Sequence, residues 1–253
     1  MKEVQQFMNQ FLQDAVNYGL GEWLVNPNRT IYANVEYVEI IHNLEKVYNF
    51  SVESGTYRHT FIFDDCDWVL KIPRKIGEHN YNDCEIEVMV YKLAEEYGVN
   101  RFFAPAAKLV SFNCSLGEIP IYVMKKVFVD EERVSEHFNS LYDGDSEDED
   151  DIDEWYANNF DEIDATMQAF VDYYGGAEAD ILQNFLNKVD INDIHSGNVG
   201  YDEDDNLIII DYAGYSSEDY WDEEHEAKIQ NILVELEKKA EKPVLQTKAN
   251  FIW

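Results

Sequence analysis

Residues 192–198 read NDIHSGN, and an apolar run, LIIIDYAG, follows at 207–214. An Asp, a His and an Asn share one loop bounded by small residues, which fits a metal site, a catalytic loop or a polar turn. The neighbouring residues narrow the choice. NVGYD and LIIID form two short strands around EDDN, a four-residue connection of the kind hairpins use. Symmetric pairing about that turn sets residue 202 opposite 207 and Asn198 opposite Asp211. Both polar groups then sit at one end of the hairpin, next to the loop that carries Asp193. An amide oxygen beside a carboxylate makes a pair of hard oxygen ligands suited to Mg²⁺, which completes its shell with water and phosphate. Iron ligation by Asp193, His195 and Asp211 is disfavoured, because the facial triad needs two His and one carboxylate and no second His is near. A polar turn explains each residue singly but not the set: LIIID ends a buried strand on a charge, and a buried charge needs a partner or a metal.

The chain has 253 residues, 45 % of them hydrophobic, enough for one large domain or two lobes with a real core. It carries 52 Asp and Glu against 19 Lys and Arg, a formal charge of -33. Such a surface repels nucleic-acid phosphates and anionic lipid, so direct nucleic-acid binding is not expected. It attracts basic proteins, could mimic a nucleic acid, and in large part serves solubility. Cys66, Cys84 and Cys114 form no CxxC pair, which points to reduced thiols in a cytoplasm. The start of the chain carries Glu and Asp and lacks the apolar core of a signal peptide. No run reaches membrane-spanning length, and no internal repeat is visible.

Val4, Phe7, Met8, Phe11, Leu12, Ala15 and Val16 recur at helical spacing over 2–18, and a weaker helix fits 31–46. Plain packing is the expected role of the first. The segment KVYNFSVESGTYRHTFIFDDCDWVLKIP is rich in β-branched and aromatic residues and predicts three antiparallel strands, near 46–53, 57–64 and 67–73. A helix ended by Gly98 comes next, with Ile86, Val90 and Leu93 on one face. Two more strands are predicted near 106–112 and 119–127. Residues 142–154, YDGDSEDEDDIDE, form an acidic block with almost nothing to bury, expected to be a mobile insert. Helices are then predicted over FDEIDATMQAFVDYYG, over AEADILQNFLNKV and near 220–241. The expected organisation is an N-terminal helical extension (1–45), a β-rich lobe (46–127) and a mainly helical lobe (128–253).

Lys71 interrupts its strand on the face it shares with Val69, opposite Trp68, Leu70 and Ile72. An inward Lys needs an anion unless it snorkels at an edge. Glu85 in the next helix is the candidate; Glu87 is the alternate, on what reads as a different face.

Together these pieces resemble the protein-kinase-like fold, including its aminoglycoside-phosphotransferase branch. DIHSGN resembles the D-x-H-x-x-N catalytic loop of that branch, DYAG the metal-binding D-F-G segment, and VLKIP the strand with the phosphate-binding Lys. CEIEVMVYKL resembles helix C, and IYVMKKV sits where the strand into the hinge belongs. Five motifs in order, over about residues 46–215, make a specific signal, and the wording is closest to short bacteriophage and bacterial serine/threonine kinases. The resemblance implies an α+β, two-lobed fold: a five-stranded antiparallel N-lobe with one helix, and a reduced, mainly helical C-lobe. It implies ATP and Mg²⁺ as cofactors. Lys71 would hold the α/β-phosphates of ATP, oriented by Glu85, and Asp193 would accept the proton of the attacking hydroxyl, or orient it. Asn198 and Asp211 would bind Mg²⁺, with His195 bracing the loop. Gly55 would lie in the phosphate-covering loop, Val69 against adenine, Met124 at the gatekeeper position, and Lys126 and Val127 in the hinge.

The chain departs from that pattern in several places. ESGTYR has one Gly where the family often has three, and Ile191 stands where His is usual. Tyr212 replaces Phe, Ala213 is inserted before Gly214, and no A-P-E segment is visible. The leading expectation is a cytoplasmic protein kinase acting on Ser or Thr in basic protein segments. A small-molecule kinase of the aminoglycoside type and a non-catalytic acidic scaffold that blocks a basic partner are the alternatives.

Overall fold

The computed structural model describes residues 1–27, 34–55, 58–74, 82–129, 133, 162–189, 191, 194–213, 231, 234 and 235. The chain divides into two units, Met1–Tyr215 and Ser216–Trp253. All the strands and the candidate site belong to the first unit. The acidic block 142–154 and nearly all of the helix predicted near 220–241 lie outside the described residues.

The first unit is α+β. Its main sheet has five antiparallel strands. Across the sheet they run β1 (Phe50–Ser54), β2 (Arg58–Phe63), β3 (Trp68–Pro73), β7 (Tyr122–Lys125) and β4 (Ala106–Lys108). Alternation of side chains across a strand explains its two faces. Phe50, Val52, Phe61, Phe63, Leu70, Ile72 and Val123 turn to one side, into the largest apolar cluster. Three helices cover that side: α1 (Lys2–Asn17), α2 (Gly21–Val25) and α3 (Val35–Tyr48). Phe11 of α1 is the hub, edge-on to Phe50, Phe61, Phe63 and Tyr48 with centroids 4.9–5.4 Å apart. The periodic face of α1 therefore packs on the sheet.

Helix α3 is displaced from the expected 31–46, and its end explains why β1 starts late. Asn34 caps it, its side chain accepting the Glu36 N–H at 2.9 Å. Tyr48 donates its hydroxyl to Asp14 of α1 and so stays helical. Asn49 then takes the left-handed conformation (φ 46°) that ends a helix and frees the chain to enter the sheet. Residues 46–49 thus do not belong to the first strand.

The strands expected over 106–112 and 119–127 are likewise shorter. A separate hairpin, β5 (Phe112–Cys114) with β6 (Gly117–Ile119), occupies the gap. Gly117 sits at φ 151°, and a Cβ there would meet Val25 Cγ1 at 2.8 Å, so only glycine suits the turn. On the other side of the sheet α4 (Asp83–Tyr97) runs to Gly98, whose left-handed φ of 72° ends it. Helices α5 (Glu162–Tyr174) and α6 (Gly176–Val189) come next, and Phe170, Tyr174 and Phe185 pack on Phe102 and Phe103 beyond α4. The last hairpin is β8 (Val199–Tyr201) with β9 (Leu207–Ile209).

Truncating the hub, Phe11→Ala, removes a fully buried ring between two layers and is expected to cost about 3–5 kcal/mol. Urea unfolding of the variant against the unchanged protein measures it.

Candidate active site

The site lies on the sheet face opposite the aromatic cluster. Lys71 is buried at the centre of β3, paired in register with Thr60 of β2 and Tyr122 of β7. An ammonium there loses its hydration and needs a carboxylate. That carboxylate is Glu87: Lys71 Nζ donates to Glu87 Oε1 at 2.7 Å, with Met124 Sδ at 3.3 Å.

The expected partner, Glu85, faces elsewhere. Two residues along a helix is about 200° of rotation, so Glu85 and Glu87 cannot serve one spot. Glu85 instead accepts from Lys108 at 2.6 Å and from the Tyr122 hydroxyl at 2.5 Å. Burial alone would raise its carboxyl, but those two donors hold it below the usual range. Glu87 shares its stripe with Asp83, one turn earlier, and both are buried.

Arg58, for which the sequence motifs predict no role, joins this cluster. It is buried in β2, two residues from Thr60 and so on the same sheet face as Lys71. Its guanidinium lies 3.4 Å from Asp83 Oδ2 and 3.5 Å from Glu87 Oε1, and pairs directly with Asp211 Oδ1. Burial disfavours its charge, but Glu87, Asp211 and Asp83 together keep it firmly protonated. The sequence held two signals for these residues. Strand alternation in RHTFIF sets Arg58, Thr60 and Ile62 on the Lys71 face, and Asp83 and Glu87 are spaced i, i+4.

Asp83 starts α4, where a carboxylate also suits the helix dipole. Its Oδ1 is buried and has no hydrogen-bond partner among the described residues. Burial pushes its carboxyl up to about 7, against the pull of Arg58 and Lys71, with Glu87 and Asp211 adding to the rise. Below that pH two cations face two carboxylates, and above it three.

Asp211 reaches the cluster from the last hairpin, whose register differs from expectation. Val199 pairs with Ile209 and Tyr201 with Leu207, so Asn198 lies opposite Ile210, its carbonyl accepting the Ile210 N–H at 2.8 Å. The turn has three residues, not four. Asp202 caps it through its side chain, accepting the N–H groups of Asp204 and Asn206 at 2.9 and 2.8 Å, and Asp205 takes the left-handed conformation at φ 68°. Asp211 therefore sits one residue past the partner of Asn198, and the chain turns there at φ 44°, an uncommon conformation for a side chain and one that clusters at functional sites. Its neighbour fixes it: Tyr212 is fully buried, edge-on to Phe103, and donates its hydroxyl to the Ala104 carbonyl at 2.6 Å. Burial would raise the Asp211 carboxyl, but Arg58 and Lys71 hold it below the usual carboxylate range.

His195 caps the 3₁₀ turn 196–198, its Nδ1 accepting the Gly197 N–H at 3.1 Å, which is a bracing geometry. Asn198 is buried at the end of that turn. Asp193 lies outside the described residues. The shifted register takes Asp211 off the position opposite Asn198, so the hairpin itself does not set the two expected metal ligands side by side. No group of three or more His, Cys, Asp or Glu that could hold a metal occurs among the described residues.

The expected nucleotide contacts divide. Val69 and Met124 are buried and directly paired on the Lys71 face. Gly55 has no positive φ, and a Cβ there would meet only the Arg58 carbonyl at 3.7 Å, so its backbone does not require glycine. Lys126 is already engaged: its N–H donates to the Asp67 carbonyl at 2.7 Å and its ammonium to the Phe63 carbonyl at 2.7 Å. It clamps the β2–β3 turn. Beyond Val127, Phe128 exchanges two backbone hydrogen bonds with Tyr201, at 2.9 and 2.8 Å, strapping the linker to β8. Gly200 permits that approach, since a Cβ would meet the Phe128 carbonyl oxygen at 2.6 Å.

Comparison with family models and with curated proteins finds no match for the chain.

Glu87→Gln strands Lys71 in the interior and is expected to destabilise by about 3–5 kcal/mol, whereas Glu85→Gln at the half-exposed rim costs about 1 kcal/mol or less. Denaturant midpoints of the two variants separate them. Asp83 carries a pKa raised from 3.8 to about 7, so the folded state holds its proton more tightly than the unfolded chain. Its contribution is complete below the ordinary carboxylate range and is lost as pH rises through about 7. Thermal melts between pH 5 and 8 should show a fall in midpoint that Asp83→Asn lessens.

Proposed function

We propose that this protein is an ATP- and Mg²⁺-dependent phosphotransferase of the two-lobed, protein-kinase-like kind, acting on Ser or Thr of proteins with basic segments. The observation that carries the reading is the buried Lys71–Glu87 pair with Asp211 joined to it through Arg58. It unites a central strand, a helix and the end of a hairpin, in the chain order that the kinase resemblance implies.

Phosphoryl transfer asks for positioning and charge neutralisation more than for covalent chemistry by the protein. The metal nucleotide supplies the phosphoryl group. Lys71, held by Glu87, neutralises phosphate oxygens, and Asn198 and Asp211 are the residues that would hold the cation, which would offset phosphate charge. Val69, Met124 and Val127 form the apolar bed for the base. Asp193 takes the proton of the acceptor hydroxyl as its oxygen bonds to the γ-phosphorus and the bond to the β-phosphate oxygen breaks, releasing ADP. A net charge of -33 draws basic protein segments toward the site.

The Arg58–Asp211 pair favours a second reading, a non-catalytic acidic scaffold, because it engages the metal-binding carboxylate. Incubation of bacterial lysate with γ-labelled ATP and Mg²⁺ separates the readings. Labelled protein bands that disappear with Asp193→Ala are expected. ATP turnover without bands, stimulated by an amine-rich sugar, would move the acceptor to a cationic small molecule. Equal signals from the unchanged protein and Asp193→Ala would leave the scaffold.

A further inference from the structure

We propose that Arg58 is an exchangeable counter-ion for Asp211: its guanidinium yields that carboxylate to a divalent cation and turns to the phosphates of the nucleotide. The inference rests on the phosphotransferase reading and adds to it a phosphate-binding residue and a device that couples metal to nucleotide.

Position is the first ground. Arg58 is the last residue of ESGTYR and opens β2, on the sheet face that carries Lys71. Its Nη1 and Lys71 Nζ approach the same Glu87 oxygen, at 3.5 and 2.7 Å, so two cationic heads converge where the kinase pattern calls for one.

Charge is the second. Arg58 and Lys71 stand against Asp83, Glu87 and Asp211. Moving Arg58 off Asp211 alone would take the direct ion pair from a partly exposed carboxylate, which is unfavourable. Arrival of a dication on Asp211 removes that cost, so the guanidinium is released only as the metal binds.

Geometry and chemistry complete the case. The Asp211 side chain is 37 % exposed and Arg58 only 9 %, so the guanidinium meets the carboxylate from the interior and leaves a side open to an ion. His195 also acts on Asp211, after Arg58 and Lys71. A guanidinium fork matches a carboxylate and a phosphate equally well, which a point-charge ammonium does not.

The test measures binding on the full chain with Arg58→Gln. Free Mn²⁺ is followed by electron paramagnetic resonance, and Mn²⁺ with a non-hydrolysable ATP analogue by calorimetry. Mn²⁺ alone should bind the variant about tenfold more tightly than the unchanged protein, and the Mn²⁺–analogue pair about tenfold more weakly, which is the size of one charge-assisted hydrogen bond. Opposite signs distinguish exchange from a structural role, which would weaken both. If Arg58→Gln does not fold, Arg58→Lys carries the test: it keeps the charge and lacks the fork, so Mn²⁺ affinity should stay unchanged while analogue affinity falls. Both affinities unchanged, or both moved the same way, would overturn the exchange. Phosphate transfer by the unchanged protein together with that result would leave the kinase reading standing; opposite shifts without any transfer would keep the exchange and remove the kinase reading.

Discussion

An ammonium enclosed in protein must find a carboxylate, and the Lys71–Glu87 pair is the contact around which the site is arranged. Each ion withdrawn from water costs several kcal/mol, so a lone buried pair stabilises little unless further partners complete it. Here Arg58 bridges Glu87, Asp83 and Asp211, and the three carboxylates come from a helix and a hairpin that the sheet alone would not bring together. The network fixes where α4 and the end of β9 stand relative to β3. Chemistry and architecture thus depend on the same few charges.

Those charges need a rigid floor, and the other face of the sheet provides it. Helices α1, α2 and α3 bury that face under a cluster centred on Phe11, so β2 and β3 are covered on both sides. A strand packed in this way holds Arg58 and Lys71 with little freedom. Tyr212 does the same for Asp211, with its ring against Phe103 and its hydroxyl on the Ala104 carbonyl.

Much of this was legible in the residues. Alternation and turn chemistry set out the main strands, Gly98 the end of α4, and the inward Lys71 the need for an anion. What was not legible is a matter of phase and register. Whether Glu85 or Glu87 meets Lys71 depends on which apolar stripe of α4 faces the sheet, and α4 buries residues on more than one side. The hairpin slipped by one because Asp202 caps its own turn and Asp205 adopts a left-handed conformation, neither of which hydrophobic pattern reveals. Arg58 reads as the end of a loop, and its partners lie far along the chain, so no local pattern marks it. Asp193, the residue assigned the proton, is outside the described residues.

A crystal structure of the protein with Mg²⁺ and a non-hydrolysable ATP analogue tests the central claim most directly. One ion shared by the Asn198 amide oxygen and the Asp211 carboxylate is expected, with Lys71 on the phosphates and still paired to Glu87. A nucleotide bound elsewhere, or Lys71 and Asp211 untouched by phosphate and metal, would contradict it.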